Sequence, residues 1–288
     1  MTSNHDRLTS LISTGEVDLI HVESVPRSIS TALARALSES ETPSIYINEP
    51  FNRMRHDIED ASTRILDAVE QHGRPADSPL TIVSKNMARN ISQPIFDELV
   101  EISKGIVWSV RDPRIQISSL LTRIANDLAY EPGADMFPME ELTDDQIRSA
   151  SDFLENGPKS TNFSKTSWED IGYHYASLGK SATSVVIDGS ALTRNPVGTL
   201  ASAARTLGLA YSARMTNGWE GEFINANTGY NPNLTDETHA WTKDAVTSSG
   251  IVPSSDQMID ISRLPAYLQT HLNDVAIPTY RQMVEARD

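Results

Sequence analysis

No cysteine occurs in the 288 residues, which excludes a disulfide framework, a thiol nucleophile and any cysteine-held zinc or iron–sulfur centre. Long apolar runs are missing too. None approaches the roughly 18–20 residues that span a bilayer, so no membrane association is expected. The opening MTSNHDRLTSLIS lacks a basic stretch followed by an apolar one, which makes a cytoplasmic location the expectation. Positive charge is scarce, with 24 Lys+Arg against 39 Asp+Glu and a net charge of −15. Broad nucleic-acid binding needs a basic surface and is not expected. Finally, no G-x-G occurs, which argues against a dinucleotide-binding oxidoreductase.

What is present is an ordinary globular balance, 39% hydrophobic and 22% charged residues, long enough to bury most of its apolar surface. Five apolar, β-rich runs stand at 17–25, 43–48, 80–84, 105–110 and 183–188. They are nearly continuous rather than alternating, as buried parallel strands are. Between them, apolar residues recur at helical spacing: Ile29, Leu33, Ala36 and Leu37; Ile58, Ile65, Leu66 and Val69; Ile95, Leu99 and Ile102; Ile117, Leu120, Leu121, Ile124 and Leu128; Val197, Leu200, Ala201, Ala204 and Leu207. The alternation predicts an α/β fold of three layers, α/β/α, with a central parallel sheet and a P-loop-like nucleotide-binding arrangement. Residues 130–182 are too long for a simple crossover. Two capping-box patterns, Thr143-x-x-Gln146 and Thr166-x-x-Glu169, predict two helices there, read as a helical cap inserted into one domain spanning 1–288.

Ligands of an open parallel sheet sit beyond the carboxyl ends of its strands. The first strand ends in Pro26-Arg27-Ser28-Ile29-Ser30-Thr31, which opens straight into a helix. Its free backbone N–H groups, including that of Ile29, the hydroxyls of Ser28, Ser30 and Thr31, and the Arg27 fork suit a phosphate. Glu49 follows the second strand, Lys85 the third, and Arg111-Asp112-Pro113-Arg114 the fourth, with Ser119 eight residues after Arg111. Cations from three strand ends and one carboxylate thus converge on one rim, a polyanion site with a general base.

These residues resemble the sulfotransferases that use 3′-phosphoadenosine 5′-phosphosulfate. The Arg27–Thr31 turn is similar to their 5′-phosphosulfate loop, and Arg111 with Ser119 to their 3′-phosphate motif. Val186-Ile187-Asp188-Gly189, then Asn195-Pro196 and Leu207-Gly208-Leu209, is similar to their late strand–helix segment. The resemblance runs from about 17 to 210, and His239-Ala240-Trp241-Thr242 resembles bacterial small-molecule members. It departs at Ile29, where the family has glycine, and at Lys85-Asn86-Met87, where cytosolic members carry Lys-Thr-His. Other members place a glutamate after the second strand, where Glu49 stands.

The resemblance implies transfer of a sulfuryl group to a hydroxyl or amine of a small-molecule acceptor, leaving 3′,5′-ADP and requiring no metal. Glu49 is then the base, with His56 in reserve. Arg27 and Lys85 neutralise charge at the transferred group, Ser28–Thr31 cradle the 5′ end, and Arg111 and Ser119 take the 3′-phosphate. Blander roles stand beside these: Glu49 pairing with Arg53 or Arg55, and Trp219 packing under a loop instead of stacking on adenine. A P-loop kinase is a rival, but Gly179-Lys180-Ser181 precedes a strand and has His174 where the Walker pattern needs its first glycine. A nucleotide-binding protein that has lost transfer is the other. The acceptor and the oligomeric state are not legible.

Overall fold

The computed structural model describes residues 2–51, 58–129, 137–156, 166–178, 183–219, 223–225, 248–254 and 256–285. The five apolar runs become β1 (Val17–Ser24), β2 (Ser44–Asn48), β3 (Leu80–Met87), β4 (Gly105–Val110) and β5 (Ser184–Asp188). A three-residue β6 (Phe223–Asn225), unexpected from the sequence, pairs beyond β2. Every pairing is parallel, in the order β5-β4-β1-β3-β2-β6. β3 outruns the expected strand by three residues. Lying between β1 and β2, it has a ladder on each side; both reach Lys85, and the one with β1 runs on through Asn86 to Met87.

Both faces of the sheet are covered, which is why its strands read as unbroken apolar runs. Ile20, Val22, Val83, Val107 and Ile187 point to one face, under α2 (Ser30–Ser38) and α8 (Pro196–Leu207). Val17, Leu19, Ile82, Ile106 and Trp108 point to the other, under α3 (Ile58–His72), α4 (Gln93–Ile102) and α5 (Pro113–Leu128). The expected three layers are present. α1 (Asn4–Ser13), which the sequence reading missed, begins at a capping box formed by Ser3 and Asp6. The C-terminal helices Ala266–His271 and Ile277–Glu285, joined through a π-helical turn, were also unforeseen.

In the predicted cap insertion, the described residues form α6 (Asp144–Asn156) and α7 (Trp168–Ser177). The first capping box forms as expected: the Gln146 N–H donates to Thr143 Oγ1, and Gln146 Oε1 accepts from the Thr143 N–H. The second does not. Thr166 and Ser167 take left-handed backbone angles, and both box residues turn to His271 instead: Thr166 Oγ1 lies 2.9 Å from its Nε2 and Glu169 3.6 Å from its Nδ1. A tertiary partner outcompetes the local cap. Ile147, Ala150 and Leu154 of α6 join the core, and α7 lies on the sheet face, where Tyr175 meets Trp108 edge-on. Among the described residues, no helix is long and apolar enough to cross a membrane.

Candidate functional site

The turn after β1 is held from below. Ser28 Oγ donates to the Val25 carbonyl at 2.8 Å and lies 3.1 Å from Ser109 Oγ on β4. Gln116 of α5, fully buried, donates to the Pro26 carbonyl at 3.0 Å. Arg27 and Ile29 both adopt positive φ, 62° and 68°. Ile29 therefore takes the angle glycine would supply, at a cost of order 1–3 kcal/mol for a β-branched side chain. Burying Leu33 and Leu37 of α2 stabilises by roughly 1.5–3 kcal/mol each, enough to outweigh that strain. Ile29 is also the N-cap of α2 and has no side-chain oxygen to offer. The first-turn N–H groups of α2 are thus not capped by it and face the strand ends. A neighbour enforces the geometry: a Cβ on Gly189, after β5, would stand 2.7 Å from the Ser28 carbonyl oxygen.

Arg27 leads to the second cluster. Its Nε donates to Ser119 Oγ at 3.1 Å, joining the first strand's turn to the helix after the fourth strand. Arg111, buried at the end of β4, donates through Nη2 to Ser254 Oγ at 2.9 Å and to Asp256 Oδ1 at 3.2 Å. Ser190 Oγ donates to the same carboxylate oxygen at 2.8 Å. Partial burial pushes the Asp256 carboxyl up, but the bonds from Ser190 and Arg111, with the charges of Arg111 and Arg194, hold it below the ordinary range.

The third cluster lies between β2 and β3. The register sets Asn48 opposite Lys85, and the Glu49 N–H donates to the Lys85 carbonyl at 2.7 Å. The same register brings Lys85 Nζ to 2.5 Å from Glu49 Oε1, with the side chains 1% and 13% exposed. Glu49 too has positive φ, 52°. Among the described residues, three of the five non-glycine residues at positive φ belong to the candidate site. Tyr46 donates to Asn48 Oδ1 and is hydrogen-bonded to Thr31. Burial, then the charge of Glu49, pushes its phenol well above the usual value. Arg89, in the turn after β3, also feels Glu49. Burial pulls its pKa below the ordinary arginine value, against the pull of Glu49 and Asp170.

The candidate residues from β1, β2, β3 and β4 therefore share one edge of the sheet. From β4 across β1 and β3 to β2 is three strand spacings, about 14 Å, so Arg111 and Glu49 mark two subsites with Arg27 and the α2 turn between them. The Arg27 Nε donates to Ser119 Oγ, and Lys85 is in contact with Glu49. Lys85 from the adjacent strand pairs with Glu49; the expected partners Arg53 and Arg55 lie outside the described residues, as do His56, His239 and Trp241. Trp219 packs in the core against α2, its Nε1 donating to the Met215 carbonyl at 3.2 Å and its ring under Arg35. Sequence reasoning missed Gln116, Ser109, Arg89 and Asp256. Gln116 and Ser109 sit in apolar stretches, and a polar residue there was the available signal.

A buried cluster lies behind this rim. Glu23 of β1 accepts from His174 of α7 at 2.9 Å and pairs with His21 at 2.6 Å, all three within the core. The His174 ring stacks on Phe96 with centroids 4.4 Å apart. Burial pushes the Glu23 carboxyl up, but the hydrogen bonds and charges of His174 and His21 outweigh it and hold it at about 2.

No family model and no curated protein matches the sequence. Among solved structures the chain is similar to three sulfotransferases. A sulfotransferase domain from the curacin biosynthetic pathway shares 13% identity, with 83% of this chain and 94% of that one covered at a TM-score of 0.42. The sulfotransferase domain of the Synechococcus PCC 7002 olefin synthase shares 14%, with 84% and 91% covered at 0.40. Mouse sulfotransferase SULT7A1, solved in complex with PAP, shares 10%, with 98% and 90% covered at 0.46. The likeness is one of chain path.

Proposed function

We propose that this protein is a sulfotransferase that moves a sulfuryl group from 3′-phosphoadenosine 5′-phosphosulfate to a hydroxyl or amine of a small-molecule acceptor. The observation that carries the reading is the Arg27–Ser119 contact, which joins the two phosphate-like motifs in one continuous donor surface.

The donor set suits such a ligand: buried guanidinium at Arg111, a second at Arg27, hydroxyls, a helix start without a side-chain cap at its N-cap, and the Lys85 ammonium. When bound, the nucleotide supplies an activated sulfuryl group and a phosphate leaving group. Arg111 and Ser119 hold the 3′-phosphate, with Arg27 bracing Ser119. The N–H groups of Ser30 and Thr31 and the α2 helix start bind the 5′ end. Lys85 neutralises charge that builds on the leaving oxygen. Glu49, in contact with the Lys85 ammonium, accepts the acceptor's proton.

Titration calorimetry with 3′,5′-ADP, 5′-AMP and ATP tests the binding half. Affinity for 3′,5′-ADP well above the other two is expected, and a preference for ATP sinks the reading in favour of a kinase. Incubation with sulfur-labelled donor and a panel of phenols, alcohols and amines tests transfer. Binding without any labelled product points to a nucleotide-binding protein instead.

A further inference from the structure

We propose that Asp256 is an internal counter-anion for Arg111, which a ligand's phosphate must displace, so that Asp256 weakens binding of nucleotides that carry a 3′-phosphate. The inference rests on the reading above and adds a residue to it that opposes binding instead of supporting it.

The geometry is specific. The segment around Asp256 is held at its two ends. Gly250 bridges to Asn217 and the Ile251 N–H donates to the Thr216 carbonyl; further on, the Ile259 N–H donates to Ser118 Oγ at 2.8 Å. Between these anchors Val252, Pro253, Ser254, Asp256, Gln257 and Met258 are exposed. From that exposed stretch, Ser254 and Asp256 reach in to the Arg111 guanidinium, whose side chain is 5% exposed where that of Asp256 is 40%. A buried cation is thus covered by a carboxylate from an exposed segment.

A phosphate dianion and this carboxylate cannot both sit on one guanidinium without strong like-charge repulsion. Binding of a 3′-phosphate at Arg111 therefore exchanges one anion for another. Asp256 has a second cation to turn to, because the charge of Arg194 already acts on it. A ribose hydroxyl is a poor replacement. It brings no charge, and removing Asp256 in its favour leaves a buried guanidinium without its counter-ion, so nucleotides lacking the phosphate leave the pair closed. The contact therefore lowers affinity for a nucleotide that carries the 3′-phosphate and leaves one without it unaffected, which eases release of the phosphate-bearing product at the expense of binding.

The test is calorimetry with 3′,5′-ADP and 5′-AMP on the wild type, D256N and D256S. Both variants take a carboxylate away from the buried Arg111, so a somewhat lower melting temperature is expected, and binding is measured well below it. The expected result is tenfold or more tighter 3′,5′-ADP binding by both variants, with 5′-AMP changed less than twofold. Hydrogen exchange gives a second readout: amides of residues 250–259 exchange faster when 3′,5′-ADP is added to the wild type, and 5′-AMP has no such effect. Equal or weaker 3′,5′-ADP binding by the variants overturns the proposal and makes Asp256 a positioning residue for Arg111. If the wild type binds both nucleotides alike, the functional reading fails. The variants still decide this inference in that case: a gain confined to 3′,5′-ADP sustains it, and no gain ends it.

Discussion

Lys85 on β3 and Glu49, just past the end of the adjacent β2, lie side by side, nearly enclosed, with ammonium and carboxylate in direct contact. A buried pair of this kind is far costlier to break than to keep, because removing one partner strands the other; the usual penalty is about 3–5 kcal/mol. Neither residue can be altered for its chemistry alone.

Glu49→Gln is therefore expected to do two things. Turnover falls by about 10²–10⁴ through loss of the base, and the melting temperature drops because Lys85 loses its counter-charge. Affinity for 3′,5′-ADP stays close to wild type. The double variant Glu49→Gln, Lys85→Met recovers stability but not turnover. Melting curves with steady-state rates on the wild type, Glu49→Gln, Lys85→Met and the double variant decide it, and full activity in Glu49→Gln would remove the base assignment.

Arg111→Ala is expected to erase preference among nucleotides. Calorimetry reads it directly: binding of 3′,5′-ADP weakens by tenfold or more and approaches that of 5′-AMP, since a charge-assisted contact to the 3′-phosphate is worth roughly 1.5–3 kcal/mol. An undiminished preference in the variant means that the 3′-phosphate is held elsewhere.

The turn after β1 can be relaxed or crowded. Ile29→Gly removes a β-branched residue from φ 68° and is expected to leave stability unchanged or raise it by about 1 kcal/mol, the relief of strain set against lost side-chain packing. Gly189→Ala drives a methyl toward the Ser28 carbonyl and is expected to cost about 1–3 kcal/mol and to weaken nucleotide binding. Urea unfolding of both variants checks the pair. A Gly189→Ala protein as stable as wild type means that the turn moves freely and is not pre-shaped.

Acid stability tests the buried cluster. Glu23 is held at about 2 in the folded chain against an ordinary 4.5, so its stabilising contribution is complete above pH 4.5 and fades as the pH falls toward 2. The lost contribution is roughly 3 kcal/mol. The stability gap between wild type and Glu23→Gln is accordingly expected to shrink between pH 6 and pH 3 in urea unfolding. A gap that does not change with pH contradicts the ionised-carboxylate arrangement.

Much of this was legible beforehand, for identifiable reasons. Strands buried on both faces must be apolar throughout, so β1 to β5 stood out as runs; helices lying on them show one apolar stripe. Reading the residues that follow each strand picked out Arg27, Glu49, Lys85 and Arg111 because a parallel sheet delivers all its strand ends to one edge. β6 has three residues and no pattern to read. The Thr166 capping box failed because a distant histidine competed for both of its side chains.

The amino-acid sequence by itself determined the layering, the parallel sheet and the set of charged groups at its edge, since periodicity and strand order are local properties of the chain. Only the tertiary structure decided how those groups are shared: Glu49 with Lys85, Arg27 with Ser119, Arg111 with Asp256. Such pairings depend on strand register and on where a late, pattern-free segment returns to the sheet. Both are set by contacts between residues far apart in the chain, where no spacing rule reaches.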